Sequence, residues 1–434
     1  MPRERSATCV FALVRNARHF RWASSAAVVV AVAGCQTAPV VTPPPPPPAP
    51  QIKTITLARY EASSLAQAPQ LRDSELIAAW PALLASCNAF DRSTRRERWA
   101  AACAAVRLAS ANDPGAIRAV LESEFSVYRM LTETREATST TAEPRVLDIT
   151  DRGRLTGYYE PELNGSRTRG DVFSVPLYRV PDDLLTVDLG AVYPELQGKR
   201  VRGRLTDSTS GKRVVPYWSR ADIDGALALR GQELLWVDDP VEAFFLQIQG
   251  SGRVRLSGAK DSGTVVRVGY ADTNGQVYRS IGTWLIEHGE LTLENASMQG
   301  IKAWVQANPQ RLRELLDQNP SYVFFRELPL GDATLGPLGA LNVPLTAGAS
   351  VAADPQFTPL GAPLIVSSTH PSDGSPLNRL VAAQDTGGAI RGPLRFDFFW
   401  GTGKAAGDIA GRHRHDVSAW VLVPKGTRPE EFLR

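Results

Sequence analysis

Cysteine and histidine are scarce in this chain, four and five residues of 434. No C-x-x-C pair occurs, so neither a zinc framework nor a dithiol redox centre is expected. An excess of one charge is missing too: 48 basic side chains face 45 acidic ones, a net charge of +3. That balance leaves no electrostatic footprint for nucleic acid. The apolar stretch 23–34 is too short to remain in a bilayer as a spanning helix. A hydrophobic content of 43% and a charged content of 21% describe an ordinary globular chain, long enough for two domains.

What is present begins with arginine. Arg3, Arg5, Arg15, Arg18 and Arg21 stand against Glu4, then the apolar stretch follows and closes on Val32-Ala33-Gly34-Cys35. This is the form of a signal peptide. Its last four residues have the pattern of a lipoprotein box, in which the cysteine sulfur carries lipid. Residues 1–34 are therefore expected to be removed, with Cys35 lipidated and the protein held to a membrane. The leader holds a net +4, more than the whole chain, so the remainder is close to neutral. Gln36 follows the cysteine, and without aspartate there the expected destination is the outer membrane, facing the periplasm. Prolines crowd 43–50, so 35–60 is expected to be an extended tether.

Loss of Cys9 and lipidation of Cys35 leave Cys87 and Cys103. Both fall on expected helices, 75–87 and 95–109, with 88–94 as the turn between them. They form either a disulfide, as an oxidising compartment favours, or two buried thiols in a helical hairpin.

Residues 70–135 read as helical, with Leu76, Ala79, Trp80 and Leu83, then Trp99, Ala102, Cys103 and Val106, at helical spacing. Beyond 145 the texture changes to short β-prone runs between Gly, Pro, Asn and Asp clusters. Strands are expected at 154–159, 173–178, 233–237, 244–249, 264–270, 323–326, 364–366, 379–384 and 420–423. Helices are expected at 278–288 and 298–316. The turn-rich stretch 163–247 reads as a smaller inserted β domain.

Chemistry concentrates near the end. Asp385, Asp397 and Asp408 lie among glycines and aromatics within 24 positions. Flanked by Phe396, Phe398, Phe399 and Trp400, Asp397 is expected to lose hydration, which raises its pKa and keeps it protonated as a general acid. Asp385 and Asp408, if ionised nearby, would raise it further. Aspartates in glycine-rich turns also serve simply to bond their own backbone. Trp400 is placed either to stack on a sugar or to fill the core. His413 and His415 form an H-x-H pair without a third ligand, read as surface residues and not as a metal site. Gly401-Thr402-Gly403-Lys404 fails as a phosphate loop, because Phe398 stands where the first glycine is needed and Ala405 replaces Ser or Thr. Ser251 is in no G-x-S-x-G elbow.

The block around Asp385, Asp397 and Asp408 resembles the three-aspartate "3D" domain of the lytic murein transglycosylase A (MltA) family. Gly157-Tyr158-Tyr159-Glu160-Pro161 resembles that family's GYYEP segment, and 245–252 its QGSG segment. Residues 269–282 and 319–325 resemble later ones, so the likeness runs in the family's order over about 145–425. It implies a mainly β fold: a double-psi β-barrel domain (61–162 plus 248–434, with an N-terminal helical segment) and a second, smaller inserted β-barrel-like domain (163–247). It also implies cleavage of the β-1,4 bond between N-acetylmuramic acid and N-acetylglucosamine in peptidoglycan glycan strands, without water or cofactor, leaving a 1,6-anhydro ring. The family's catalytic aspartate falls on Asp397, with Asp385 and Asp408 as the other two of the pattern. Tyr158, Tyr159, Glu160, Gln249 and Ser251 become candidates to line the glycan groove. The partners implied are the glycan, the membrane and a wall-synthesis complex. From the aspartates alone, a hydrolase on the same scaffold, a non-catalytic wall-binding module and a structural lipoprotein stay open.

Overall fold

The computed structural model describes residues 53–137, 145–197, 201–225, 228–258, 261 and 263–433. The expected leader, Cys35 and the proline run lie outside them. The tether ends before residue 60, however. Thr54–Ser63 is a strand, β1, paired along its whole length with β2 (Phe125–Glu136). Residues 125–135, expected to be helical, are thus strand. Phe125, Val127, Tyr128, Thr132 and Thr134 favour a pleated surface, and ten ladder partners on β1 outweigh helical spacing.

Between these strands the helical reading holds for α1 (Asp73–Phe90), α2 (Arg96–Leu108) and α3 (Pro114–Glu124). Asp113 starts α3 by accepting the N–H groups of Gly115 and Ala116 at 2.9 and 3.1 Å, and Pro114 occupies a position with no donor to lose. Cys87 on α1 and Cys103 on α2 are joined as a disulfide.

The chain then passes through β3 (Val146–Thr150) and β4 (Gly153–Glu160) into a second sheet. Its strands are β5 (Glu162–Ser166) and β6 (Val175–Tyr178), then β10 (Glu233–Val237), β11 (Ser251–Leu256), β12 (Val265–Thr273) and β13 (Val323–Leu328). Their order is β13-β12-β11-β5-β10-β6. A separate three-stranded sheet is made by β7 (Leu185–Val187), β8 (Val201–Ser208) and β9 (Gly211–Pro216). The smaller β region therefore runs well past residue 247, because β5 finds its parallel neighbour in β11.

Residues 244–249, expected as a strand, belong to a helix. After α4 (Arg220–Gly225), helix α5 (Pro240–Gln249) is capped by Asp239 and stopped at Gly250, whose φ of +79° suits glycine. Five residues of α5 in succession, 243–247, are buried, and so unbroken a buried run blurs the helical period. Helices α6 (Ile281–Glu287), α7 (Met298–Ala307) and α8 (Leu312–Leu316) follow.

The remaining strands are β14 (Ser350–Ala353), β15 (Pro363–Thr369), β16 (Pro376–Asp385), β17 (Arg395–Thr402) and β18 (Arg414–Pro424), with α9 (Gly403–Ala410) before the last. They join β4 in the order β18-β15-β16-β14-β17-β4, and β4 pairs back to β18. Six strands thus close on themselves, leaving β1, β2 and β3 as an extension of β18. Phe396, Phe398, Leu155, Val351 and Val421 fill this barrel and share one core with Trp80, Phe90 and Trp99 of the helices. The helical segment is therefore packed into the barrel body. Gln384 donates from Nε2 to the Ala82 carbonyl (2.7 Å) and Ser86 Oγ (3.0 Å), seating α1 directly behind the end of β16.

Closing a loop across a sequence separation of 16 residues contributes on the order of 3 kcal/mol in the chain-entropy account. Cys87→Ser should lower the denaturant midpoint accordingly. A reductant should produce the same shift in the wild type and none in the variant.

Candidate active site

Strand register builds the site. Asp397 on β17 pairs with Thr156 on β4, and Thr156 pairs on its other side with Arg414 on β18. Directly paired residues project to one face, so Arg414, Thr156 and Asp397 form a row across the outside of the barrel. Phe396 and Phe398, the neighbours of Asp397, point the opposite way into the core. The expected aromatic sleeve is thus on the wrong face. Phe399 instead supports the site indirectly, packing its ring 5.2 Å from that of Tyr158.

The Thr156 hydroxyl donates to Asp397 Oδ1 at 2.6 Å. Arg395, two residues before Asp397, donates from Nη1 to the same hydroxyl oxygen at 2.9 Å. With that lone pair engaged, the threonine proton is directed at Asp397. Loss of hydration pushes the Asp397 carboxyl up to about 6, opposed by the Thr156 bond and the Arg395 charge and assisted by the Asp385 charge. Asp385 sits at the end of β16, where Tyr158 donates to Oδ2 (3.1 Å) and the Ala340 N–H to Oδ1 (2.9 Å). Burial raises the Asp385 carboxyl and these donors oppose the rise. Burial, then the Asp385 and Asp397 charges, raises the Tyr158 phenol, which stays a donor.

Asp408 stands apart from this pair. It lies on α9, bonded to Lys404 at 2.8 Å, and that bond holds its carboxyl below the usual range. Glu160, expected to line a groove, is fully buried. Arg253 Nε reaches it at 2.9 Å and Arg267 Nε at 2.7 Å, with Thr402 Oγ1 at 3.0 Å. Glu160 therefore joins the barrel to the second sheet. Tyr159 is also buried, against Ala406 and Ala410. Gln249 Oε1 accepts the Tyr159 backbone N–H at 3.1 Å, and Ser251 opens β11 beside it, partly exposed. Trp400 packs on Phe398 and donates to His413 Nδ1 at 3.0 Å. His413, read as a surface residue, is 2% exposed. Burial, then His415 and His370, holds it at about 3, hence neutral and able to accept that bond.

Residues 154–326 match the MltA specific insert domain, and residues 349–423 match the 3D domain. The crystal structure of MltA from Neisseria gonorrhoeae aligns with a TM-score of 0.69 and 35% identity, covering 87% of this chain and 96% of that one. The chain belongs to the MltA family. It is 34% identical over 275 residues to the membrane-bound lytic murein transglycosylase A of Escherichia coli K12. That alignment takes in 62% of this chain and spans 65% of the length of the relative. The structure of E. coli MltA with bound chitohexaose aligns with a TM-score of 0.58 and 26% identity, over 84% of this chain and 96% of that one.

Four residues of this MltA-family site escaped the motif reading: Thr156, Arg395, Arg253 and Arg267. Alternation alone points to the first two. Thr156 shares a face with Tyr158, and Arg395 with Asp397, each two positions away along one strand. The arginine partners of Glu160 come from separate strands, β11 and β12, and no local pattern marks them.

Removing the anion from between two buried guanidinium groups leaves both uncompensated. Glu160→Gln should therefore cost about 3–5 kcal/mol of stability, read as a lowered melting temperature. Asp408→Asn, on an exposed helix face, should melt within about 0.5 kcal/mol of wild type.

Proposed function

We propose that this protein cuts the β-1,4 bond between N-acetylmuramic acid and N-acetylglucosamine in peptidoglycan and leaves a 1,6-anhydro end. The observation that carries this reading is Asp397. It is one carboxyl raised to about 6, held by Thr156 through Oδ1 alone, on an outward barrel face. The proton then resides on Oδ2, the oxygen that Thr156 leaves free. Asp397 gives it to the glycosidic oxygen as the C1–O bond breaks and an oxocarbenium-like sugar forms. The carboxylate so formed takes the proton of the muramic C6 hydroxyl, whose oxygen bonds to C1. The proton balance closes on one residue, and proximity within one sugar replaces an enzymic nucleophile.

A hydrolase would need a second free carboxylate, as nucleophile or as base for water. Asp385 is the nearby carboxylate, and both its oxygens already accept hydrogen bonds. This supports the intramolecular route, with Asp385 and Tyr158 holding the site's shape. The names of the relatives, and chitohexaose bound in one of them, support a β-1,4 glycan as ligand. The closed six-stranded ring supports a double-psi barrel, with the glycan between it and the second sheet. Partly exposed Gln249, Ser251 and Trp400 are the remaining candidates to touch sugar. Lipidation at Cys35, residence on the outer membrane and engagement with a wall-synthesis complex complete the proposal. A relative named membrane-bound supports the anchor, and among the described residues no helix is long and apolar enough to cross a membrane.

Digestion of purified peptidoglycan should release muropeptides lighter by one water than hydrolysed ones, and Asp397→Asn should release none. Reducing ends in their place would overturn the anhydro route. The acid must be protonated, so kcat/KM should be flat below about pH 6 and fall about tenfold per unit above it. Thr156→Val removes a bond that favours the carboxylate and should move this limb upward by roughly 0.5–1 unit.

A further inference from the structure

A cavity of about 580 Å³ opens beside the row that holds Asp397. One wall is the chain leading into α7, with Leu291, Glu294 and Ser297, and Trp304 lies at its base. The other wall is the corner between α9 and β18, with Arg412 and Arg414. The two walls are linked: Gln299 Nε2 donates to the Gly407 carbonyl at 3.4 Å, and Gln299 also bonds Asp408. Arg414 is exposed and forms no ion pair among the described residues. Arg412, also exposed, donates to the Ser372 hydroxyl at 3.3 Å.

Register fixes where this cavity lies. Arg414 is two strands from Asp397 in the same row, with Thr156 between, so the two side chains start about 10 Å apart on one face. Two cations against one carboxylate, Glu294, give the cavity a positive balance over an apolar base. Building on the peptidoglycan reading, we propose that this cavity binds the peptide borne by the muramic residue being cut. In peptidoglycan that peptide leaves from O3 of the same ring whose C1 is attacked. It must therefore begin within a ring's width of Asp397, and it carries carboxylates that Arg412 and Arg414 meet as charge-assisted bonds. Glu294 offers a place for an ammonium on the same peptide. The site thus discriminates peptide-bearing glycan from bare glycan.

The test compares Arg412→Gln with wild type, full chain in each case, on peptide-bearing peptidoglycan and on the same glycan stripped of peptide by an amidase. KM on the peptide-bearing substrate should rise roughly tenfold, while kcat/KM on stripped glycan should stay within about twofold. Equal losses on both substrates, or no loss on either, would overturn the proposal. Calorimetry with a soluble disaccharide-peptide and the bare disaccharide supplies a readout independent of turnover. Tighter binding of the peptide form, weakened in Arg412→Gln, supports the cavity even if no cleavage is seen, whereas absent cleavage alone counts against the catalytic reading. Equal binding of the two fragments overturns the cavity's role.

Discussion

The structure turns on one buried anion between two buried cations. Glu160 is the last residue of β4, the strand that also carries Thr156 and Tyr158. Arg253 and Arg267 come to it from β11 and β12, and both also donate to the Leu335 carbonyl in the connection that returns the chain to the barrel. Taking three charges out of water is costly unless geometry and further hydrogen bonds compensate. Here backbone carbonyls accept what Glu160 cannot. The barrel, the second sheet and their connection meet at a single joint, and it lies four residues along the strand from Thr156.

Behind the aspartates the same economy recurs at β16. Gln384 faces inward and is bonded to α1 and to Ser350, while Asp385, one residue on, faces Tyr158. A strand end clamped on both faces has little freedom to drift. The N-terminal helices therefore do more than enlarge the core: α1 supports from behind the residue that steadies Tyr158. Tyr158 in turn packs on Phe399, two residues past Asp397.

Much of this was legible in the residues, and the failures have physical reasons. The helical hairpin with its cysteines was readable because α1 and α2 each bury one face and keep helical spacing. Helix α5 was not, because five buried residues in succession, 243–247, blur the period, although Asp239-Pro240 before it and Gly250 after it are ordinary helix punctuation. Asp397 was singled out on surroundings that the structure places elsewhere. Strand alternation sends Phe396 and Phe398 inward, and Thr156, Arg395 and Asp385 shape the carboxyl instead. Gly157-Tyr158-Tyr159-Glu160 marked the correct strand while concealing its division of labour. A Cβ on Gly157 would strike Trp400 Nε1 at 2.7 Å, Tyr159 fills core, Tyr158 steadies Asp385, and Glu160 is the joint. Long-range charge pairing of that kind has no local signature.

The row Arg414, Thr156, Asp397 has a consequence for how the protein comes into being. Thr156 and Asp397 are 241 residues apart in the chain, and the strand bearing Arg414 is the last to enter the ring. Contacts this distant in sequence form late, after most chain entropy has already been surrendered. A nascent or clipped chain can contain Asp397 without its raised pKa, because without its neighbours the carboxyl is an ordinary hydrated aspartate. Closure of the barrel is therefore also the moment at which this carboxyl acquires its raised pKa. On the proposed reading, activity arrives only with the completed fold.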